Sequence, residues 1–200
     1  MIPFRTLDAV AVPIAQPNVD TDQIIPARFL SRARGSAGLG DCLFRDLRFA
    51  RDGSEVSEFI LNQPDYRTAG ITVGERNFGC GSSRENAVWA LYDYGIRAAI
   101  APSFGDIFYN NSLKNGLLPV RLSAEIVAGL LAQLQAKPGA RIAIDLEAQT
   151  VTAPNGAIHP FEIDPFSKHC LLNGVDELEF TLSQADQITA FENRYGRENA

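Results

Sequence analysis

The chain has 200 residues, 46% of them hydrophobic and 21% charged, which is enough for one sizeable core and unlike a disordered or fibrous composition. Eighteen Lys and Arg against 24 Asp and Glu leave a net charge of −6, so nucleic-acid binding has no electrostatic support. No apolar run approaches the roughly 18 residues of a membrane span, and Met1-Ile2-Pro3-Phe4-Arg5 lacks the basic-then-apolar order of a secretory signal, so a cytoplasmic protein is expected.

In chain order, residues 4–14 read as a strand ending near Pro13, followed by a turn-rich segment, Asn18-Val19-Asp20-Thr21-Asp22. Residues 23–30 read as a short helix or bend. Between residues 28 and 51 stand Arg28, Arg32, Arg34, Arg45, Arg48 and Arg51 with only Asp41 and Asp46 as acids, a local charge of +4 in an acidic chain. Arginine binds carboxylate bidentately, so this cluster suits a small polyanion; the alternative is a merely decorated surface. Gly35, Gly38 and Gly40 add the expectation of a mobile basic loop near residues 28–40.

Residues 41–62 read as an irregular edge with a turn at Asp52-Gly53. From residue 70 strands and helices alternate: strand 71–73, helix 82–94, strand 96–101, helix 104–115, strand 117–120, the pattern of βαβ units and a locally parallel sheet. Ser82, Ser103 and Ser183 each stand three residues before an acid, the spacing of a capping box, and Asp164 precedes Pro165 at a helix start. Gly95, Gly116 and Gly174 fall at helix ends, where a left-handed cap favours glycine. A helix spans 123–135, Pro154-Asn155-Gly156 closes an antiparallel hairpin, and a helix over 183–195 ends the chain. The chain reads as α/β with a separate β layer, one domain over residues 1–200.

The most informative stretch is Asn77-Phe78-Gly79-Cys80-Gly81-Ser82-Ser83-Arg84-Glu85, where a strand runs through glycines into a helix start, a ready anion site. It matches neither the dinucleotide fingerprint nor a Walker loop. By spacing Ser82 reads first as an N-cap completed by Glu85, and compatibly with that as a hydroxyl beside Arg84 where an alkoxide would be stabilised. Cys80 invites a nucleophile reading, since helix N-termini depress thiol pKa values, but no partner can be assigned to His159 or His169. His169-Cys170 reads as packing. Cys42, Cys80 and Cys170 are an odd count without CxxC spacing, which fits a reducing compartment.

Asn18-Val19-Asp20-Thr21-Asp22-Gln23-Ile24-Ile25-Pro26 together with Asn77 to Glu85 resembles the swivelling domain of the aconitase superfamily. Chain length, Ala101-Pro102-Ser103-Phe104 and His169-Cys170-Leu171-Leu172-Asn173-Gly174 are similar to the branch that interconverts 2- and 3-isopropylmalate in leucine biosynthesis. The resemblance implies a three-layer β/β/α fold. It also implies a large-subunit partner and a [4Fe-4S] cluster carried by that partner, since three scattered cysteines offer no cluster spacing. The implied substrate is a small dicarboxylate that loses and regains water. By resemblance Ser82 removes the carbon-bound proton, Arg84 grips a carboxylate with Ser83 assisting, and Thr21 and Asp22 occupy a further active-site position. A second substrate arginine falls near Arg34, with Arg28 and Arg32 competing for the place. Ala33, Ala37 and Leu39 suit an apolar substrate branch, while homoaconitate, methylmalate and dimethylmalate remain sibling substrates. A non-catalytic anion-binding subunit is the alternative of another class.

Overall fold

The structure, a computed structural model, describes residues 1–32 and 38–198, with side chains to residue 195. The N-terminal strand β1 (Thr6–Ile14) leads through a short helix α1 (Thr21–Ile24), two 3-10 turns and α2 (Arg45–Arg48) to β2 (Ile71–Gly74). Then follow α3 (Glu85–Tyr94), β3 (Ala98–Ala101), α4 (Asp106–Lys114), β4 (Leu118–Arg121) and α5 (Ala124–Ala136). Strands β5 (Arg141–Asp145), β6 (Thr150–Thr152) and β7 (Ile158–Pro160) precede the closing helices α6 (Pro165–Asn173), α7 (Glu177–Ser183) and α8 (Ala185–Glu198).

The seven strands of the described residues join in one sheet, in the order β4-β3-β2-β1-β5-β6-β7. The first four strands run parallel, with Val12 opposite Thr72, Thr72 opposite Ala99 and Ala99 opposite Pro119. β1 turns the sheet antiparallel, with Ala9 opposite Ile142, and the expected hairpin pairs Val151 with His159.

Burial of β3 on both sides explains its uninterrupted apolar run, Ala98-Ala99-Ile100-Ala101. Ala99 and Ala101 face one core with Ile24, Ile25, Phe44, Phe104, Phe108 and the buried side of α3, Ala87, Val88 and Leu91. Ala98 and Ile100 face a second core with Val127, Leu130, Leu131 and Leu134 of α5 and with Ile142, Ile144 and Val151 of the antiparallel strands. Each buried Val or Leu of α5 contributes about 1.5–3 kcal/mol, so α5 is held by that one face. The result is the expected three-layer β/β/α arrangement. The parallel sheet is the middle layer, α3 and α4 cover one face, and α5 with the curled antiparallel strands covers the other.

Helix ends separate the local signals from the tertiary ones. Asp164 caps α6 by accepting from Ser167 N at 2.8 Å, with Pro165 at the first position, and Ser123 caps α5. Gly95 and Gly174 end α3 and α6 in the left-handed conformation, and Gly116 follows α4 with φ +79°. The three expected Ser capping boxes do not form. α3 starts three residues late, with Arg84 at its N-cap, and Glu85 accepts from Asn115 Nδ2 at 2.7 Å instead of turning back to Ser82. Ser103 Oγ accepts from Asn77 N at 2.8 Å, leaving Gly105 at the N-cap of α4. Ser183 ends an additional helix, α7, by donating to the Phe180 carbonyl, and the expected closing helix begins only at Ala185, as α8.

Candidate functional site

Ligands of parallel α/β sheets bind beyond the carboxyl ends of the strands, and both motifs lie there, on adjacent strands. Asn18 to Asp22 follows β1, and Asn77 to Arg84 follows β2. The two segments are laced together. Asp20 pairs with Cys80 in an isolated parallel bridge, Thr21 N donates to Cys80 O at 2.8 Å, and Gly79 N donates to Val19 O at 2.7 Å. Asn18 and Asn77, both at positive φ, are joined by an Nδ2–Oδ1 hydrogen bond of 2.9 Å. Asparagine tolerates the left-handed region, which is the one signal by which the sequence could have marked this junction.

α1 begins with a capping box of its own, in which Asp20 accepts from Gln23 N at 2.7 Å and the Gln23 side chain accepts from Asp20 N. That box fixes the direction of the next two residues. Thr21 is buried, and its hydroxyl donates to the Ser82 carbonyl at 2.9 Å, so it holds the backbone of the serine turn. Asp22 points the other way and forms an ion pair with Arg84. The Arg84 side chain is only 19% exposed while Asp22 is 52% exposed, so the guanidinium is seated and the carboxylate is the displaceable partner. Ser82 and Ser83 are exposed beside this pair.

The glycines serve the loop's own packing. Gly79 has φ +71°, and a Cβ there would sit 2.2 Å from the Phe108 ring; Gly105 in turn has no room for a Cβ against the Gly79 carbonyl, 2.6 Å away. Gly81, at φ +90°, faces Asp20 and Thr21. Gly79→Ala therefore combines left-handed strain with overpacking. The expected cost is about 2–4 kcal/mol, a fall in Tm of roughly 5–15 °C. A thermal melt measures it, and a Tm within about 2 °C of the parent would mean that the ring swings aside freely.

The remaining candidates separate. Burial first, and then the negative Asp20, push the Cys80 thiol up, so it stays protonated at neutral pH and is no activated nucleophile. His159 lies half-buried on β7, and His169 is exposed on α6, edge-on against Phe180, so of the expected packing pair only Cys170 is buried. Arg28 is taken up by a two-bonded pair with Asp46, and Arg32 donates to Cys42 Sγ at 3.0 Å. Arg34 and residues 33–37 of the expected mobile loop lie outside the described residues. The Asp22–Arg84 pair itself, 62 positions apart, carries no sequence signal.

Cys42 belongs to the second 3-10 turn, Cys80 to the serine loop and Cys170 to α6, and all three are free. Among the described residues no three His, Cys, Asp or Glu side chains gather as a metal ligand set, so the residues here do not fit an iron–sulfur cluster held by this chain. No helix of the described residues is long and apolar enough to cross a membrane.

Comparison with known proteins adds three findings. A family model described as the Aconitase C-terminal domain matches residues 1–125, and one described as LeuD_N matches residues 128–165. The chain is similar to the 3-isopropylmalate dehydratase small subunits of Paramagnetospirillum magneticum, at 52% identity over 94% of both chains, and Rhodopseudomonas palustris, at 49% over 98% of both. It also superposes on the crystal structure of 3-isopropylmalate dehydratase (leuD) from Methanocaldococcus jannaschii. That match has a TM-score of 0.65 and 25% identity, and covers 94% of this chain and 99% of the other.

Proposed function

Because the chain belongs to the family of 3-isopropylmalate dehydratase small subunits, we propose that it supplies the proton-transfer and carboxylate-binding half of a hydro-lyase site, completed by a large subunit. In this reading the substrate is 2-isopropylmalate, dehydrated to an alkene diacid and rehydrated to 3-isopropylmalate in leucine biosynthesis. The iron–sulfur cluster of the aconitase-type enzymes resides on the large subunit. The whole chain, residues 1–200, acts as one swivelling unit.

The observation that carries this reading is the exposure of Ser82 and Ser83 next to a seated Arg84, beyond the carboxyl ends of β1 and β2. Water there would screen the guanidinium and solvate an alkoxide. Covering this end of the strands with a second protein removes that water and strengthens every charge in the site. Arg84 then exchanges the Asp22 carboxylate for one from the substrate, and Asp22 swings free. Ser82, held as the alkoxide beside the Arg84 guanidinium, takes the proton from the carbon next to a carboxylate and, now a hydroxyl, returns it when water is added back. Ser83 and the first N–H groups of α3, which have no intrahelical acceptor, orient the same substrate carboxylate. Thr21 keeps Ser82 in register by holding its carbonyl, and Arg34 is the second substrate arginine.

The test is reconstitution under anaerobic conditions. The chain alone is expected to show no turnover, and mixing it with the large subunit should give isomerisation of 2-isopropylmalate in preference to homoaconitate, methylmalate and dimethylmalate. Turnover by the chain without its partner would overturn the half-site reading.

A further inference from the structure

A cavity of about 1010 Å³ opens within the basic stretch between residues 28 and 51. None of Thr21, Asp22, Ser82, Ser83 and Arg84 lines it. Four arginines, Arg28, Arg32, Arg45 and Arg51, meet there with only two acids, Asp41 and Asp46. Asp46 is taken up by Arg28. Among the described residues no carboxylate lies within ion-pair distance of Arg32, Arg45 or Arg51. A chain of net charge −6 thus concentrates unpaired positive charge in one concave place.

The guanidiniums are braced by rings. Arg45 lies 3.8 Å from the centroid of Phe49 and Arg28 lies 4.6 Å from that of Phe29, both rings forming part of the cavity wall. Just beside them, Leu30 and Leu47 are more than a third exposed. Arginine and aromatic side chains with flanking aliphatics are the composition of protein interfaces, where such groups dominate binding energy. Size points the same way, since this cavity sits at the upper end of small-ligand pockets and a seven-carbon diacid would leave most of it empty.

We propose that this arginine-lined cavity is a docking surface for an acidic segment of the large subunit, whose carboxylates complete the pairs that Arg45 and Arg51 lack. This rests on the reading of the chain as a small subunit. Complementary charge at such a surface speeds encounter and fixes the register of docking, and its strength falls with ionic strength.

The experiment measures association of the full-length chain with the purified large subunit, by titration at low and high salt, and turnover of the complex at saturating large subunit. The wild-type Kd is expected to rise with salt. Arg45→Glu combined with Arg51→Glu is expected to weaken association by tenfold or more and to flatten the salt dependence, while kcat and KM of the saturated complex stay unchanged. Arg45→Gln with Arg51→Gln, which removes the two charges without reversing them, should weaken it at least threefold; this pair decides the matter if the Glu pair melts early. Wild-type affinity in these variants, with an active complex, would overturn the docking surface and leave the small-subunit reading intact. A raised KM with unchanged association would also overturn it, assigning the cavity to substrate. So would a wild-type chain that dimerises on its own and a Gln pair that does not, which would assign the cavity to a second copy. A wild-type chain that never binds the large subunit would overturn both readings.

Discussion

Ser82→Ala is expected to lower kcat of the assembled enzyme by about 10²–10⁴-fold while leaving Tm of the isolated chain within about 2 °C of the parent. Had Ser82 capped α3, its loss would have cost about 0.5–2 kcal/mol of stability. The cap belongs to Arg84, however, and the Ser82 side chain is exposed, so the change falls in the class of surface substitutions worth roughly 0.5 kcal/mol or less. Stability and turnover are thereby decoupled at this position. Ser82→Ala should bind substrate nearly as well as the parent, because Arg84 and Ser83 remain, and the loss should sit in kcat rather than KM. Ser83→Ala is the control, with a smaller kcat loss and a larger share in KM. If Ser82→Ala retained more than about a tenth of the parent kcat, the proton would have to leave by another base, supplied by the partner.

Arg84→Lys is expected to lower kcat/KM by about 30- to 1000-fold although the charge is kept, equivalent to about 2–4 kcal/mol. A lysine offers a point charge on a flexible stem where the guanidinium offers a planar fork matched to a carboxylate. The same substitution should hardly move Tm, since the pair with half-exposed Asp22 is of the surface kind, worth at most about 1 kcal/mol. Asp22→Asn sharpens the test. If Asp22 only stands in for the substrate, its removal frees Arg84 and KM falls; if it aligns Arg84, KM rises with little change in Tm. Near-parent kinetics in Arg84→Lys would assign the arginine to structure and leave the substrate carboxylate to another group.

What the sequence made legible was what neighbouring residues decide among themselves. The cap at Asp164, the glycine stops at Gly95 and Gly174 and the hairpin at Pro154 to Gly156 are all closed by residues within a few positions. The Ser-x-x-acid spacing at residues 82, 103 and 183 is equally local, and there it misled. Asn115 outbid the Ser82 backbone for Glu85, Asn77 N took the Ser103 hydroxyl and the Phe180 carbonyl took that of Ser183. Of these three partners, two come from elsewhere in the fold. The site was legible as two motifs and not as an arrangement. Nothing in the spacing tells that Thr21 turns inward to the Ser82 carbonyl while its neighbour Asp22 turns outward to Arg84, a choice made by the capping box at Asp20.

β1 is the first strand of the chain and the seam of the sheet, paired on one side with β2 and on the other with β5, where Thr6 stands opposite Asp145. Both of its neighbours therefore emerge well after it, β2 past the first third of the chain and β5 only past about seven tenths. Pairings so distant in sequence close large loops before they return any stability, which slows folding. The serine turn and the Asp20 box hang from the ends of β1 and β2, so neither can be fixed in place until that seam closes. During synthesis the chain would thus pass through a long interval with its first strand unpaired and its apolar residues, such as Ala11 and Val12, uncovered. Refolding from denaturant should accordingly regain helical signal well before it regains the ability to complete an active enzyme, and chaperone demand should concentrate in that interval.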